Sequence, residues 1–314
     1  MRPKIAVLPG DGIGPEVVHS ALSKRPLDAD VTFIDACADR YLSTGELVTT
    51  EEIAEIGRSD ALLFGAIGDP RVKSGVLERG ILLRLRAELD LYINLRPFPE
   101  LDLVIVRENT EGSYAGVGTR EGGIATETSV NTRAGIERCA EYAFELARKR
   151  GGHVTLVHKT NVLRHAGGLW EEIVDAMGER FPGVPVLYEH VDAAAYHLVR
   201  QHGRFDVILT DNMFGDILSD VAAAVGAGLG AIGSANLHPK RATRPTRCIG
   251  LFEPVHGSAP DIAGTGTADD SGMVAAIELM LDALHDESNI QGRHTDLKRH
   301  VPRTRDEVLR LEQR

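Results

Sequence analysis

Short apolar segments with little polar alternation recur along the chain, and this pattern predicts strands that are covered on both faces. The segments are residues 5–8, 31–34, 61–67, 101–106, 154–157, 186–188 and 205–209. Between several of them, apolar residues recur at helical spacing, in residues 15–24, 134–150 and 169–180. Strands that alternate with helices predict an open α/β fold, and we expect a mixed sheet with flanking helices.

No internal repeat, low-complexity segment or Ser/Gly-rich linker divides the chain of 314 residues. This length suffices for two packed units, or for one large unit with a cleft. Because no linker is evident, we expect any two domains to share one continuous open sheet, with the chain crossing between them twice.

The formal net charge of −11 argues against binding to nucleic acid or to acidic membranes, because both attract basic surfaces. The longest uncharged stretch, residues 221–237, is rich in Gly and Ala and predicts a packed core rather than a membrane span. The first residues lead directly into a predicted strand, so we expect no signal peptide. Cys37, Cys139 and Cys248 are widely spaced, which favours a reducing cytoplasm over a disulfide or zinc scaffold.

A glycine-rich turn at residues 10–14 lies between a predicted strand and a predicted helix. Its third glycine comes one residue too early for the G-x-G-x-x-G motif of dinucleotide-binding folds. The full match at residues 228–233 follows an Ala-rich helical pattern and not a strand, so close packing in a turn is the favoured interpretation. The sequence therefore argues against a Rossmann fold.

Two arginines lie at the ends of predicted strands. Arg96 precedes Pro97, and Arg107 ends the apolar segment 101–106. Functional side chains of open α/β sheets gather at the carboxyl ends of strands, and a guanidinium binds a carboxylate through a planar fork. A surface ion pair is the alternative for each arginine alone, but together with Arg86 they indicate a substrate with more than one carboxylate.

Asp216 and Asp220 are four residues apart on a predicted helix and therefore share one face. Carboxylate oxygens are the ligands that Mg²⁺ and Mn²⁺ prefer, and Asp192 is a candidate for a third ligand. The alternative is a pair of solvated helix carboxylates. Tyr114 and Lys159, near strand ends, are candidates for proton transfer or, alternatively, ordinary surface residues.

Several motifs of the chain, and the order in which they occur, resemble those of the β-decarboxylating dehydrogenases. This family includes isopropylmalate, isocitrate, homoisocitrate and tartrate dehydrogenases. The resemblance covers nearly the whole chain and is greatest to the bacterial isopropylmalate branch. The motifs are GDGIGP at 10–15, NLRP at 94–97, RENTEG at 107–112, HKTNV at 158–162, and residues 211–220 and 253–264.

The resemblance implies a two-domain α/β fold that is not a Rossmann fold. The first domain, residues 1–91 and 226–314, would carry the NAD-binding loops. The second, residues 92–225, would carry the dimerisation surface with the metal and catalytic residues. The active unit would be a homodimer with shared sites, in which Lys159 and Asp192 come from the partner subunit.

The resemblance also assigns roles to individual residues. Lys159 and Asp192 would relay the hydroxyl proton, Tyr114 would protonate C3 after decarboxylation, and Asp192, Asp216 and Asp220 would bind Mg²⁺ or Mn²⁺. The implied substrate-binding residues are Arg86, Arg96, Arg107, Leu82, Leu83, Asn161 and Val162. The implied NAD-binding residues are Ile13, Glu253, His256, Gly257, Ser258, Ala259, Asp261, Ile262 and Asp269, the last of which replaces the Asn of many NAD-using relatives.

The resemblance therefore implies an enzyme of the cytoplasm, an NAD-dependent β-decarboxylating dehydrogenase. We expect it to convert 3-isopropylmalate to 2-oxoisocaproate in leucine biosynthesis, because Leu82, Leu83 and Val162 suit a branched aliphatic substituent. One alternative is a paralogue that acts on isocitrate, homoisocitrate, tartrate or a secondary-metabolite analogue. Another is a non-catalytic regulatory subunit, which the complete set of catalytic residues disfavours.

Overall fold

The computed structural model of the protein describes residues 2–285. Its strands are, in chain order, β1 (Lys4–Gly10), β2 (Asp30–Phe33), β3 (Ala61–Ala66), β4 (Ile93–Phe98), β5 (Leu103–Glu108), β6 (Gly112–Glu121), β7 (Ile124–Val130), β8 (Val154–His158), β9 (Val186–His190), β10 (Val207–Thr210), β11 (Gly233–Leu237) and β12 (Gly250–Pro254). Its α-helices are α1 (Gly14–Lys24), α2 (Ala38–Thr44), α3 (Thr50–Arg58), α4 (Arg84–Glu88), α5 (Arg133–Arg150), α6 (Arg164–Arg180), α7 (Val191–Gln201), α8 (Asn212–Val225) and α9 (Ser271–His285). A π-helical turn, Glu78–Leu83, directly precedes α4.

The described residues divide into two compact units. Unit 1 contains residues 2–91 and 227–285, and unit 2 contains residues 92–226. The expected extension of the first domain to residue 314 falls on residues 286–314, which lie outside the described residues. None of the helices in the described range is long and apolar enough to cross a membrane.

The strands of unit 1 lie in the order β2-β1-β3-β12-β11. Neighbours pair in parallel except at the end of this series, where β11 is antiparallel to β12. Helices α1 and α9 pack against these strands. Residues 5–8 and 61–66 are buried, as the uninterrupted apolar pattern of these segments predicts.

The strands of unit 2 lie in the order β4-β5-β10-β8-β9, with β4 antiparallel to β5 and the others parallel. Helices α5, α6, α7 and α8 flank them. Strands β6 and β7 form a separate antiparallel hairpin whose residues are mostly exposed. The predicted α/β class with mixed strand pairing and flanking helices is confirmed.

Some predicted strands differ from the structure in burial or in their bounds, as two examples show. The segment 31–34 was expected to be covered on both faces, but Val31 is 38% and Phe33 62% exposed, because β2 is the last strand of its series. The strand expected at 101–106 begins at Leu103, because residues Pro99–Leu101 form a 3₁₀ turn and Asp102 follows it with a φ of 50°.

The parallel strands of unit 2 place several candidate residues at one edge. Strands β5, β10, β8 and β9 point the same way, so their carboxyl ends lie on the same side. Arg107 is the second-to-last residue of β5, and Asp211 follows β10. Lys159 and Asp192 come after β8 and β9. This is the edge at which α/β proteins bind their ligands.

Two adjacent glycines of α6 give a test of the packing that supports the Lys159 loop. A Cβ at Gly167 would lie 2.7 Å from the Cα of Thr160, whereas a Cβ at Gly168 would meet nothing within 4 Å. We expect Gly167→Ala to lower the free energy of unfolding by about 2 kcal/mol or more, because the backbone of the loop must move. Urea unfolding measures this effect.

Gly168→Ala is the matched control, since it makes the same substitution one residue along the same helix. We expect it to raise the free energy of unfolding by roughly 0.5–1 kcal/mol, because alanine favours the helix more than glycine does. Equal effects of the two substitutions would contradict the packing described for Thr160.

Candidate active site

Two buried arginines and two aspartates meet in unit 2. Arg107 at the end of β5 is 1% exposed, and Arg96 in β4 is 7% exposed. Both donate to the same carboxylate oxygen of Asp216 in α8, Arg107 through Nη1 and Arg96 through Nη2, the latter at 3.3 Å. Asp220 lies 3.7 Å from Nη1 of Arg96. The structure therefore brings the two predicted substrate arginines to the two predicted metal ligands.

The local sequence explains this arrangement. In the antiparallel pair β4–β5, Asn94 lies opposite Arg107 and Arg96 opposite Ile105, so both arginines lie in neighbouring strands. Helix α8 follows β10, the other neighbour of β5, and its first residue comes directly after the N-cap Asp211. Asp216 and Asp220 share one face of this helix because they are four residues apart.

Tyr114 in β6 belongs to the same cluster. Its hydroxyl donates a hydrogen bond of 2.7 Å to Oδ2 of Asp216, and its ring centroid lies 5.1 Å from Cζ of Arg107. The side chain is half-buried. A weakly acidic hydroxyl thus lies beside the guanidinium of Arg107 and the carboxylate of Asp216, which suits it to donate a proton within the cluster.

The acids of the cluster have the chemistry of a divalent-cation site. Burial raises the pKa of Asp220, opposed by Arg96 and reinforced by the neighbouring charge of Asp216. A divalent cation would offset this repulsion between two carboxylates. Among residues 2–285, however, no three His, Cys, Asp or Glu side chains form a group that could hold a metal, so Asp192 does not join this pair within one chain.

Lys159 and Asp192 form a separate pair. Strands β8 and β9 pair in parallel with His158 opposite His190, so the residues that follow them are close. Nζ of Lys159 donates to Oδ1 of Asp192 at 2.5 Å, and this bond holds the pKa of Asp192 below its usual range. Asp192 is exposed, and so are the neighbouring candidates Asn161 and Val162, the last by 64%. In one chain this group therefore faces outward.

The third predicted substrate arginine lies in unit 1. Arg86 in α4 is 5% exposed, and its Nη2 donates to Oε1 of Glu253 in β12 at 3.0 Å. Asn236 of the adjacent β11 donates to the same oxygen at 2.8 Å. A predicted substrate residue and a predicted cofactor residue therefore form one ion pair. Leu82 and Leu83 lie in the π-helical turn that leads into α4, and both are half-buried.

The predicted cofactor loop packs against the turn between β1 and α1. The backbone N–H of Ile13 donates to the carbonyl oxygen of Ser258 at 2.8 Å. Gly12, with a φ of 56°, lies so close that a Cβ there would be 2.0 Å from that oxygen. Glycine at position 12 is therefore required by both its conformation and its contact.

Several atoms of this loop are available to a ligand. Nε2 of His256 is buried, and within residues 2–285 it has no hydrogen-bond partner. The carboxylate of Asp261 is exposed, as is Gly257, while Ala259 and Ile262 are half-buried. Asp269 instead accepts from the backbone N–H and the hydroxyl of Ser271 at 2.9 and 2.6 Å, at the start of α9.

Sequence reasoning missed a buried pair behind the cluster. Nε2 of His158 lies 3.7 Å from Oδ2 of Asp211, and neither ring nitrogen has a hydrogen-bond partner among the described residues. Burial lowers the pKa of His158 to about 4 and raises that of Asp211 to about 6. Both residues lie inside motifs named above, directly before Lys159 and at the start of α8, but only the pairing of β8 with β10 brings them together.

Comparison with known proteins gives one consistent result. Residues 4–291 match the family model described as isocitrate/isopropylmalate dehydrogenase. The chain is 50% identical over 306 residues to a 3-isopropylmalate dehydrogenase of Nocardia farcinica, covering 90% of this chain and 89% of that protein. It is 51% identical over 305 residues to a 3-isopropylmalate dehydrogenase of Mycobacterium tuberculosis, covering 90% and 88%.

Solved structures show the same relationship. An isocitrate dehydrogenase from Methylococcus capsulatus has a TM-score of 0.80 and 34% identity, covering 99% of this chain and 89% of that one. A β-decarboxylating dehydrogenase from Thermococcus kodakarensis has a TM-score of 0.72 and 36% identity, covering 98% and 94%.

The buried carboxyl of Asp211 leads to a prediction about pH and stability. Its pKa is raised from the usual 3.8 to about 6 by burial. Ionisation of Asp211 therefore destabilises the folded protein: the loss of stability is absent below pH 3.8, grows between pH 3.8 and 6, and is complete above pH 6. Asn at this position keeps the oxygen that accepts from the N–H of Phe214 but removes the charge. We expect Asp211→Asn to raise the free energy of unfolding by about 1–3 kcal/mol at pH 8.

Urea unfolding at pH 8 and at pH 4 checks this expectation, because the gain should largely vanish at the lower pH. Asp175→Asn, on the exposed side of α6, is the control and should change little at either pH. A gain of equal size at both pH values would show that burial of the charge is not its cause.

Proposed function

The chain belongs to the isocitrate/isopropylmalate dehydrogenase family, and from this premise we propose that it catalyses the NAD- and divalent-metal-dependent oxidative decarboxylation of a 3-substituted malate. The proposed substrate is 3-isopropylmalate and the product 2-oxoisocaproate, a step of leucine biosynthesis. This substrate is supported by the similarity to 3-isopropylmalate dehydrogenases, which are 50–51% identical to the chain over 90% of its length. The observation that carries the chemistry is the cluster of Arg96, Arg107, Tyr114 and Asp216.

Arg96 and Arg107 would bind the carboxylates of the substrate. Both guanidinium groups are buried, and buried charges attract an anion more strongly than exposed ones because water screens them less. Arg86 is proposed as the third substrate arginine, since it is also buried and forms an ion pair with Glu253. Leu82, Leu83, Asn161 and Val162 would contact the remainder of the substrate, including its branched substituent.

Asp216 and Asp220 would hold Mg²⁺ or Mn²⁺ together with the partner subunit's Asp192. Their oxygen donors and the repulsion between them fit a divalent cation. When bound, such an ion lowers the pKa of an alcohol and stabilises negative charge that develops on oxygen.

The side chains of the protein would move two protons. Bound NAD⁺ would supply the hydride acceptor for oxidation of the alcohol. The partner subunit's Lys159 and the partner subunit's Asp192 would accept the alcohol proton. The 2-oxo acid then loses its 3-carboxylate as carbon dioxide, and C3 takes a proton from the hydroxyl of Tyr114. The hydroxyl donates to Asp216, which keeps its proton within the cluster proposed to bind the substrate.

NAD would bind at the loop that follows β12. The exposed carboxylate of Asp261 can accept hydrogen bonds from ribose hydroxyls, and Nε2 of His256 is a buried ring nitrogen that a ligand can satisfy. Ile13 and Ser258 hold the loop at the end of β1. The other proposed contacts are Glu253, Gly257, Ala259, Ile262 and Asp269.

We further propose a homodimer with shared sites. On α7, Asp192 lies on the same exposed stripe as Tyr196 and Val199, which are 62% and 58% exposed. On α8, Asp220 shares a stripe with Met213 and Ile217, which are 41% and 56% exposed. A second copy that covered these apolar stripes would also bring its own Asp192 towards an acid pair. The unpaired cysteines Cys37, Cys139 and Cys248 support a location in the cytoplasm.

The proposed function is tested by a turnover screen. 3-Isopropylmalate, isocitrate, homoisocitrate and tartrate are each supplied with NAD and Mg²⁺, and NADH absorbance is followed. We expect 3-isopropylmalate to give the highest kcat/KM. A higher value for another malate would assign a different substrate, and no NADH with any of them would overturn the proposed activity.

The cofactor preference follows from the charge of Asp261. We expect kcat/KM with NAD to exceed that with NADP by a factor of about ten or more, because a carboxylate repels the 2′-phosphate of NADP. Steady-state kinetics with both cofactors measure the ratio. Asp261→Asn should reduce it, and equal use of the two cofactors by the unsubstituted enzyme would contradict this assignment.

The shared metal site makes a prediction about mixed dimers. Asp216→Asn and Asp192→Asn should each lose most activity, because an amide oxygen is a weaker ligand for a divalent cation, and EDTA should abolish the activity of the unsubstituted enzyme. Co-expression of the two variants should restore activity to about a quarter, since half of the dimers are mixed and each has one intact site. No recovery in isolated mixed dimers would rule out a site shared in this way.

Proton delivery to C3 is tested by Tyr114→Phe, which removes the hydroxyl and keeps the ring. We expect kcat to fall by a factor of roughly 10² to 10⁴ with a smaller change in substrate affinity. Lys159→Met should instead suppress NADH formation itself, because the alcohol proton leaves as the hydride departs. Single-turnover measurements of NADH and of carbon dioxide separate the two effects.

Tyr142→Phe is the control for Tyr114→Phe, because Tyr142 lies in α5 outside the cluster. It should turn over at the unsubstituted rate. If Tyr114→Phe also processed both the alcohol and the 2-oxo-3-carboxylate at that rate, the role assigned to its hydroxyl would be wrong.

A further inference from the structure

Asn212, the first residue of α8, binds the Nε–Nη2 edge of the Arg107 guanidinium. Its side-chain amide oxygen, Oδ1, accepts from Nε of Arg107 at 2.9 Å and from Nη2 at 2.7 Å. Its amide nitrogen donates to the carbonyl oxygen of Glu111 at 3.1 Å. Asn212 is 0% exposed. One side chain thus fixes a whole edge of the guanidinium and is itself fixed by the backbone.

Gly215 confines the rest of the Arg107 side chain. A Cβ at position 215 would lie 2.6 Å from Cγ and 2.7 Å from Cβ of Arg107, so the helix backbone closes over the aliphatic part of the arginine. The guanidinium group at the end of the side chain is the part that can still rotate. The two hydrogen bonds from Nε and Nη2 to Asn212 oppose this rotation. The other nitrogen, Nη1, is thereby directed to Asp216.

The neutrality of Asn212 matters for the charge of the cluster. Arg96 and Arg107 are balanced by Asp216 and Asp220, so a divalent cation and a doubly charged substrate can enter together without leaving a net charge. An aspartate at position 212 would have the same size and would accept the same two hydrogen bonds. It would, however, add one negative charge that nothing in the cluster offsets.

The other arginine of the cluster is held in the same way. Nε of Arg96 donates to the amide oxygen of Asn94 at 2.9 Å, and its Nη1 donates to the hydroxyl of Ser219 at 2.6 Å. Neutral oxygens therefore orient both guanidinium groups in addition to the carboxylate of Asp216, whereas Arg86 in unit 1 is held by the carboxylate of Glu253.

We propose that Asn212 is a positioning residue for substrate binding, which sets the orientation of Arg107 and leaves its positive charge for a substrate carboxylate. This inference rests on the proposed function, because it takes Arg107 to be a ligand of the substrate. It adds that the neutrality of position 212, and not its size alone, determines the affinity.

Two variants separate orientation from charge. Asn212→Asp keeps the acceptor oxygen and adds a charge, Asn212→Ala removes the acceptor, and both lose the donor to Glu111. We expect crystal structures to show Arg107 unmoved in Asn212→Asp and turned away in Asn212→Ala. Calorimetric titration with 3-isopropylmalate and Mg²⁺ should give a Kd raised about 10- to 100-fold in both variants.

Asn131→Asp is the matched control. The amide oxygen of Asn131 accepts from Nε1 of Trp170 at 3.0 Å and its nitrogen donates to the hydroxyl of Ser129 at 2.9 Å, so the substitution changes charge and donor in the same manner. Because this residue has no arginine partner in these bonds, we expect an unaltered Kd for 3-isopropylmalate. A raised Kd here would show that any added charge in unit 2 weakens binding.

A purely structural role for Asn212 makes a different prediction, since Asn212→Asp retains both bonds to Arg107 and would then bind the substrate as the unsubstituted enzyme does. That result, or an unmoved Arg107 in Asn212→Ala, would overturn the proposal. Failure of the unsubstituted enzyme to turn over any 3-substituted malate would overturn the proposed function instead. The crystal structures would still decide whether Asn212 orients Arg107.

Discussion

One carboxylate group, that of Asp216, is the partner that Arg96, Arg107 and Tyr114 have in common. Two guanidinium groups buried without an anion would be very costly, since water no longer solvates their charge. Helix α8 supplies this anion, and it can do so because β10, the strand before it, is the neighbour of β5. The order of the strands in unit 2 is thus tied to the electrostatics of the cluster.

Neutral groups also bind the arginines, in addition to Asp216 and to Asp220, which lies 3.7 Å from Nη1 of Arg96. Amide and hydroxyl oxygens orient a guanidinium through hydrogen bonds while adding no charge, so they fix direction without reducing the attraction for an anion. In unit 1 the opposite solution occurs, because Glu253 neutralises Arg86 and is itself held by Asn236. The two units therefore differ in how their arginines are oriented, by amide and hydroxyl oxygens together with carboxylates in unit 2 and by the carboxylate of Glu253 in unit 1.

The parts of this cluster that depend on residues close together in the sequence are predictable from the sequence. The four-residue spacing of Asp216 and Asp220 defines a helix face, and Arg107 directly ends an apolar segment, so both could be placed at once. The pair of Arg86 and Glu253 could not, because the residues are 167 positions apart and only tertiary packing brings helix α4 to β12. Asn212 was overlooked for the same reason: an amide after a strand has no special pattern until its neighbour strand is known. The exposure of β2 likewise depends on its place at the end of the series.

The π-helical turn Glu78–Leu83 has a consequence for how substrate preference can diverge in evolution. Leu82 and Leu83, the residues proposed to contact the substituent, belong to unit 1, whereas Arg96, Arg107 and the acids of α8 belong to unit 2. A π-turn contains one residue more per turn than an α-helix, and losing or gaining that residue rotates the side chains around it. Drift in this segment can therefore change how Leu82 and Leu83 are presented while the acid–arginine cluster of unit 2 is inherited unchanged. The proposed substrate preference and the proposed chemistry can thus diverge separately.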